Sequence, residues 1–164
     1  MTRAELFRVR VALIQAYLRD KGLDGILLSR VDNFAMATGG GRNYINIMGD
    51  GGVCSLLIDK EGRTFLIANT IESGRILDEE LPGLGVEPLN YLWFEASAAE
   101  VVKQHFDGRF ASDDGSLGEN VNGDLAYLQS LLTPVELDKY RQIGRDATAA
   151  MLATLDPIQP GTPE

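Results

Sequence analysis

The side chains that most often perform chemistry in proteins are few in this sequence. His105 is the single histidine and Cys54 the single cysteine among 164 residues. A zinc site needs three or four ligands of this kind. His105 shares a helical stripe with Val101, which predicts packing at the edge of the core, and Cys54 lies in the apolar run Val53 to Ile58, which predicts a buried thiol rather than a reactive thiolate. We therefore expect no catalytic and no metal-binding residue in this chain.

Two acidic clusters could suggest paired carboxylates for acid/base work or for a metal. Asp78-Glu79-Glu80 closes a predicted helix, and Asp113-Asp114 falls in a turn that lacks the Asp-x-Asp-x-Asp-Gly pattern of calcium loops. We interpret both clusters as solvated surface. The sequence also contains neither Gly-x-Ser-x-Gly nor His-Glu-x-x-His, the patterns of two common hydrolase sites.

The glycine-rich segment around Gly39-Gly40-Gly41-Arg42 could be taken for a phosphate-binding loop. It lacks the Gly-Lys-Ser/Thr of a P-loop, and Tyr44 stands where a dinucleotide fingerprint needs its third glycine. A guanidinium binds a carboxylate bidentately, so Arg42 could hold a substrate carboxylate; the alternative is an arginine on a solvated loop. Trp93 lies in the aromatic run Tyr91 to Phe94. Its side chain either packs in the core or at an oligomer interface, or contacts a substrate.

Composition and charge narrow the class of protein. The formal net charge is −9, which repels a phosphate backbone, so nucleic acid is not an expected partner. The apolar runs are short and the first helix contains Arg8, Arg10 and Gln15, so we expect neither a signal peptide nor a membrane span, and a cytoplasmic location. The length suits one domain with a sizeable core.

Helices and strands alternate along the predicted fold. Capping boxes at Thr2 and Ser97 predict helix starts, and Gly25 to Leu28 is a short apolar run of the kind buried on both faces of a sheet. Val53 to Ile58 and Thr64 to Ala68 flank a turn and predict a β-hairpin. Further elements are a helix over 70–81, a strand over 86–94, a brief strand at 110–111 and a short helix near 123–131, whereas 33–52 is predicted to be irregular. This pattern indicates an α/β fold with a mixed β-sheet flanked by helices.

The C-terminal segment has the features of a domain junction. Thr133-Pro134-Val135-Glu136 is a third capping box, with proline at the first helical position. A long helix is predicted from there to about Leu155, where Pro157 stops it. The exit that follows, 158–164, is rich in proline and glycine and offers no further element to pack.

This junction resembles the interdomain segment of creatinase, prolidase and Xaa-Pro aminopeptidases, the "pita-bread" metallopeptidases. In that family, a (S/T)-P-x-E-(I/L) helix start leads to an i-x-P-G-x-(T/S)-E turn, as in Thr133 to Leu137 and Ile158 to Glu164 here. Leu23 to Leu28, followed by Asn33-Phe34 and Thr38-Gly39-Gly40, is similar to the family's N-terminal pattern. Ala35-Met36-Ala37 departs from it, since the family often has an aromatic residue and a leucine there.

The resemblance implies a two-domain hydrolase in which this chain is the non-catalytic part. The family's dinuclear divalent metal site (Mn, Co or Zn) belongs to a catalytic domain, and the N-terminal domain mediates assembly into a dimer and restricts access of the peptide substrate. Related enzymes send a loop of this domain toward the neighbouring subunit's substrate. This makes Arg42, Asn43 and Tyr44 of the glycine-rich loop candidate substrate contacts, acting in trans, and Trp93 of the aromatic run is a further candidate contact of the same kind.

The domain organisation that follows is an N-terminal-like domain over 1–132 and a linker helix with the start of a catalytic domain over 133–164. Two other hypotheses remain open. The chain could be a free-standing α/β module of the same fold that binds a small molecule or a protein, or an independent enzyme with unrecognised chemistry, which the lack of clustered catalytic side chains disfavours.

Overall fold

The structure is a computed structural model that describes residues 1–163. It contains a six-stranded mixed sheet of spatial order β4-β3-β2-β1-β5-β6. The strands are β1 (Gly25–Arg30), β2 (Gly51–Asp59), β3 (Thr64–Asn69), β4 (Glu87–Tyr91), β5 (Phe110–Ser112) and β6 (Glu119–Asn120). Strand β2 is antiparallel to both of its neighbours, and the other pairs are parallel. The α/β class and the predicted hairpin are therefore confirmed.

Helices connect and cover the strands. They are α1 (Arg3–Lys21), α2 (Val31–Thr38), the single turn α3 (Ser73–Arg75) continued by a π-helix (Ile76–Glu80), α4 (Ala98–His105), α5 (Asn122–Ser130) and α6 (Pro134–Leu155). All three predicted capping boxes are formed, at Thr2, Ser97 and Thr133, each with the glutamate three residues later. The start of these helices is thus fixed by local side-chain hydrogen bonds.

Each face of the sheet has its own hydrophobic core, because successive side chains of a strand point to opposite sides. Ile26 and Leu28 of β1 join the larger core, which includes residues of α1, α2 and α5. Leu27, between them, joins the smaller core with Val101 and Val102 of α4. Strand β1 is buried on both faces, as its continuous apolar run predicted.

Three parts of the chain differ from the sequence prediction. Residues 31–38 form α2, although 33–52 was predicted to be irregular; the N-cap Arg30 makes no side-chain capping bond, so the usual start signal is missing. The helix predicted over 70–81 is confined to α3 and the π-helix. Strand β4 ends at Tyr91, so Trp93 and Phe94 lie in a loop rather than in a strand.

The chain divides into two compact units, Met1–Gln129 and Ser130–Glu164. The second unit is built around α6, which ends near the predicted residue and has no buried side chain. None of the helices within residues 1–163 combines the length and hydrophobicity that crossing a membrane requires.

Candidate functional site

Several loops leave the sheet at one edge. Arg30 at the end of β1 pairs with Gly51 at the start of β2, and Asn69 at the end of β3 pairs with Tyr91 at the end of β4. The loops 39–50, 70–72, 92–97 and 113–118 therefore share this side of the sheet, and we call them the loop edge. Open α/β sheets commonly place their binding sites at the carboxyl ends of the parallel strands.

The glycine-rich loop is anchored where it leaves α2. Gly39 has a left-handed φ of 67° and ends the helix, a conformation that glycine adopts without steric cost. The Thr38 hydroxyl donates to the Phe34 carbonyl at 2.7 Å and accepts from the Gly41 amide at 2.9 Å. The first turn of the loop is thus fixed by a buried side chain.

Arg42 extends this anchor through a pair with Glu80. The Arg42 backbone N–H donates to Glu80 Oε2 at 3.0 Å, and its Nε and Nη2 each lie 3.0 Å from Oε1. Glu80 is 5% exposed. Burial by itself would raise the pKa of the Glu80 carboxyl, but the hydrogen bonds from Arg42 outweigh it, and the pKa lies below its ordinary value.

Asn43 is buried, which removes its side chain from the candidate contacts. Its Nδ2 donates to the Cys54 carbonyl at 2.9 Å and to the Ser29 carbonyl at 3.4 Å, and its residue exposure is 0%. A Cβ at Gly52 would overlap the Asn43 amide. The residue therefore holds the loop against β1 and β2 instead of facing a substrate.

The tip of the loop and the segment after β4 are apolar and exposed. Ile47 is 80% and Met48 is 92% exposed, while Trp93 and Phe94 are each 64% exposed. The two aromatic rings meet edge to face with centroids 5.6 Å apart. Tyr44 is half-buried and follows Arg42 and Asn43 directly along the loop. Three of the four candidate contacts, Arg42, Tyr44 and Trp93, thus lie at the loop edge with accessible surface.

The acidic clusters are not both solvated, and this part of the sequence interpretation is wrong. Asp78, Glu79 and Asp114 are exposed, but Glu80 is paired as described and Asp113 is 1% exposed.

Asp113 joins the end of β1 to α2. Its carboxylate accepts from the backbone N–H groups of Ser29 at 2.8 Å and Arg30 at 3.0 Å, and from Asn33 Nδ2 at 3.0 Å. Burial raises the pKa of Asp113, and these three donors oppose the rise. Asn33 also donates to Asn122 and accepts from Gln129, so the network fixes the junction from which the glycine-rich loop departs.

The remaining reactive side chains do not assemble into a site. His105 is exposed, not packed at the core edge, because it lies at the end of α4; its Nδ1 is 2.9 Å from the Val101 carbonyl. Cys54 is buried as predicted, and desolvation raises the pKa of its thiol to about 12. Within residues 1–163, no three His, Cys, Asp or Glu side chains come together in a way that could hold a metal ion. The described residues therefore do not fit a dinuclear metal centre.

A family model described as the creatinase/prolidase N-terminal domain matches residues 10–150. No curated protein sequence matches the chain significantly.

Solved structures with the same fold are also found. The prolidase from Pyrococcus horikoshii OT3 superposes with a TM-score of 0.65 at 13% identity, over 92% of this chain and 43% of that one. Dipeptidase PepE from Mycobacterium ulcerans superposes with a TM-score of 0.60 at 14% identity, over 82% of this chain and 39% of that one. A proline dipeptidase from Streptococcus pneumoniae TIGR4 superposes with a TM-score of 0.52 at 12% identity, over 74% of this chain and 98% of that one. At these identities the likeness shows the fold, and the chain spans less than half the length of the first two proteins.

Proposed function

The chain belongs to the creatinase/prolidase N-terminal domain family, and from that premise we propose that it is the non-catalytic N-terminal domain of a metal-dependent Xaa-Pro peptidase. In this proposal, the loop edge joins two subunits and restricts the access of peptides to the active site. The structures that share the fold include a prolidase and a proline dipeptidase, which supports this substrate class.

The observation that supports the assembly role most strongly is the exposed apolar surface of the loop edge. Large apolar side chains that cluster on a surface are typical of protein interfaces, and aromatic residues and methionine are enriched at their centres. Ile47, Met48, Trp93 and Phe94 supply such groups from two loops on the same side of the sheet. We propose that a second copy of the full protein covers them, giving a homodimer.

The proposed metal centre lies outside the described residues. Because their ligand groups do not fit a dinuclear site, the Mn, Co or Zn ions of the proposed enzyme would be held by a catalytic domain. The proposed role of this chain is then to shape the entrance to that site. A cytoplasmic location is part of the same proposal, since the one cysteine is buried and not available for a disulfide.

Arg42 is the proposed contact to a substrate carboxylate. Glu80 engages its Nε and Nη2, yet the side chain remains 64% exposed. A guanidinium has five N–H donors, so a second carboxylate can bind to those that Glu80 leaves accessible. Tyr44 and Trp93, on the same edge, would supply aromatic surface to the peptide.

Self-association provides the first test. We expect sedimentation velocity to show a reversible dimer of the chain. Trp93→Ser should raise the dissociation constant of this dimer about tenfold or more, as for a buried aromatic interface residue. Val9→Ser, which changes an exposed apolar residue of α1, serves as the control and should have no effect. A chain that stays monomeric at about 100 µM, where the interface should be saturated, would refute the assembly role.

Activity provides the second test. The purified chain, supplied with Mn²⁺, Co²⁺ or Zn²⁺, should hydrolyse no Xaa-Pro dipeptide, because the ligand set is incomplete. Metal-dependent turnover that is lost in His105→Ala would overturn the non-catalytic role while leaving the assembly role to be judged by sedimentation.

A further inference from the structure

Strand β4 forms one lateral edge of the sheet, which we call the β4 edge. It is the first strand in the spatial order and pairs only with β3 within residues 1–163. An edge strand exposes a row of backbone N–H and C=O groups that can pair with a strand of another molecule. The β4 edge is therefore a surface through which two copies of this chain could join their sheets.

The register of the β3–β4 ladder fixes which backbone groups of β4 point outward. The Tyr91 carbonyl accepts from the Thr70 N–H at 3.0 Å, so the backbone groups of Tyr91 point toward β3. The direction of these groups alternates along a strand. Leu89 therefore also bonds to β3, whereas the backbone groups of Pro88 and Asn90 point away from it.

Pro88 occupies one of these two outward positions, and it is exposed. Proline has no N–H, so this position can accept a hydrogen bond but cannot donate one. At an inward position it would remove a bond of the β3–β4 ladder, whereas at an outward position it costs the sheet nothing. Asn90 is thus the one residue of β4 that presents both a donor and an acceptor to an incoming strand.

The opposite lateral edge of the sheet is closed by its shortness. Strand β6 has only two residues, and the preceding Gly118 has a left-handed φ of 67°, which is not an extended conformation. Very short edge strands are one of the ways in which proteins avoid pairing with another chain. Of the two lateral edges, β4 is therefore the one that is long enough to need a further block.

We propose that Pro88 closes the β4 edge to strand addition, so that two copies of this chain do not join their sheets. One self-complementary surface gives a closed dimer, whereas a second such surface on the same molecule would link dimers into open chains. The closed β4 edge thus leaves the loop edge as the surface for assembly. This last consequence rests on the proposed function, but the closure of the β4 edge does not.

Sedimentation velocity of Pro88→Thr tests the closure. The substitution is made in a Trp93→Ser background, where the proposed loop-edge contact is weakened and association through β4 is seen by itself. Threonine favours strands and restores the N–H, so a two-fold β4–β4 contact gains one hydrogen bond from each copy. Association should be about tenfold tighter than in the background. Pro82→Thr, the same change at an exposed residue before β4, is the control and should have no effect.

Two further variants separate this proposal from the proposed dimer. Asn90→Pro, added to Pro88→Thr, moves the missing donor to the other outward position, so it should abolish the gain while sparing the β3–β4 ladder. With Trp93 intact, Pro88→Thr should form assemblies larger than a dimer. If it forms only a dimer there, with the affinity that it has in the Trp93→Ser background, the loop-edge contact is absent and the closure of the β4 edge still holds.

Hydrogen exchange of the wild-type chain gives a readout that does not depend on the folding of a variant. The Asn90 amide should exchange fast at every protein concentration, while the Leu89 and Tyr91 amides are protected by their bonds to β3. The proposal is overturned if the Asn90 amide is protected at any concentration, if folded Pro88→Thr associates no more tightly than its background, or if Asn90→Pro leaves the gain unchanged.

Discussion

The root and the tip of the glycine-rich loop differ sharply although they lie within ten residues of one another. At the root, Arg42 is tied to buried Glu80, and Asn43 is enclosed between β1 and β2. At the tip, Ile47 and Met48 expose nearly all of their apolar surface. Polar side chains are inside where the loop must be held, and apolar side chains are outside where a partner would bind. If the proposed assembly role is right, stability and assembly depend on different residues of one loop.

The largest loss of stability is expected from a substitution that disrupts the root of the loop by steric overlap. Gly52→Ala places a methyl group where the Asn43 amide lies, so either Asn43 or β2 must move. We expect a loss of about 3 kcal/mol in the free energy of unfolding, as for overpacking of a buried site. Gly51→Ala is a matched control, because its Cβ meets no atom within 4 Å. Chemical denaturation of the two variants measures the difference, and equal midpoints would show that Asn43 is not fixed as described.

A smaller loss of stability is expected when the positive charge of Arg42, which pairs with the Glu80 carboxylate, is removed. Arg42→Ala should lower the free energy of unfolding at pH 7, by less than Gly52→Ala does, since it leaves the buried Glu80 carboxylate without its guanidinium partner although the arginine itself is largely exposed. The pKa of Glu80 is below its ordinary 4.5, so this contribution is complete above about pH 4.5 and falls as the pH drops through the folded-state pKa.

The pH dependence separates this pair from a general effect of losing an arginine. Denaturation curves at pH 7 and pH 3 should show a stability gap between wild type and Arg42→Ala that narrows at the lower pH. Arg8→Ala, a change on exposed α1, should produce little gap at either value. A gap for Arg42→Ala that stays constant with pH would contradict the ionised pair.

The smallest effect on stability is expected at the tip. Ile47→Ser with Met48→Ser should change the free energy of unfolding of the monomer by less than about 0.5 kcal/mol, because exposed side chains lose little on substitution. Thermal unfolding at a concentration below the dissociation constant of the dimer measures this. A loss comparable to that of Arg42→Ala would mean that the tip is packed and that the two regions do not differ.

The sequence predicted the elements whose causes are local. Thr2, Ser97 and Thr133 each cap a helix through a glutamate three residues away, and that spacing is visible without a structure. Strand β1 was predicted as an element buried on both faces because its apolar run is continuous. The fold class followed from the alternation of such elements.

The features that escaped prediction depend on partners far along the chain. The carboxylate of Asp113 can be buried because the backbone N–H groups of Ser29 and Arg30, more than 80 residues earlier in the chain, donate to it. The carboxylate of Glu80 can be buried because Arg42, 38 residues earlier, donates to it. A charged residue looks solvated when its partners are unknown. One signal was present for Asp113, which directly follows the apolar strand Phe110 to Ser112 and so stands at a buried strand end.

Helix α2 illustrates the same limit on a shorter scale. It lacks a side-chain cap and follows β1 without a turn, so the segment reads as irregular. Its first turn is held by Asn33 through Asp113 and Gln129. The Asn33-Phe34 and Thr38-Gly39 motifs of the family resemblance thus coincide with residues that build the loop root.

Hydrogen exchange as a function of protein concentration tests most directly whether the root is fixed and the tip is covered by a second copy. Between about 1 and about 100 µM, mass action should populate the dimer. We expect the amides of 45–48 and 93–94 to become protected as the concentration rises, while those of Gly41 and Arg42 are protected throughout. Exchange at the tip that is fast and independent of concentration, or exchange at the root that is as fast as at the tip, would contradict the account.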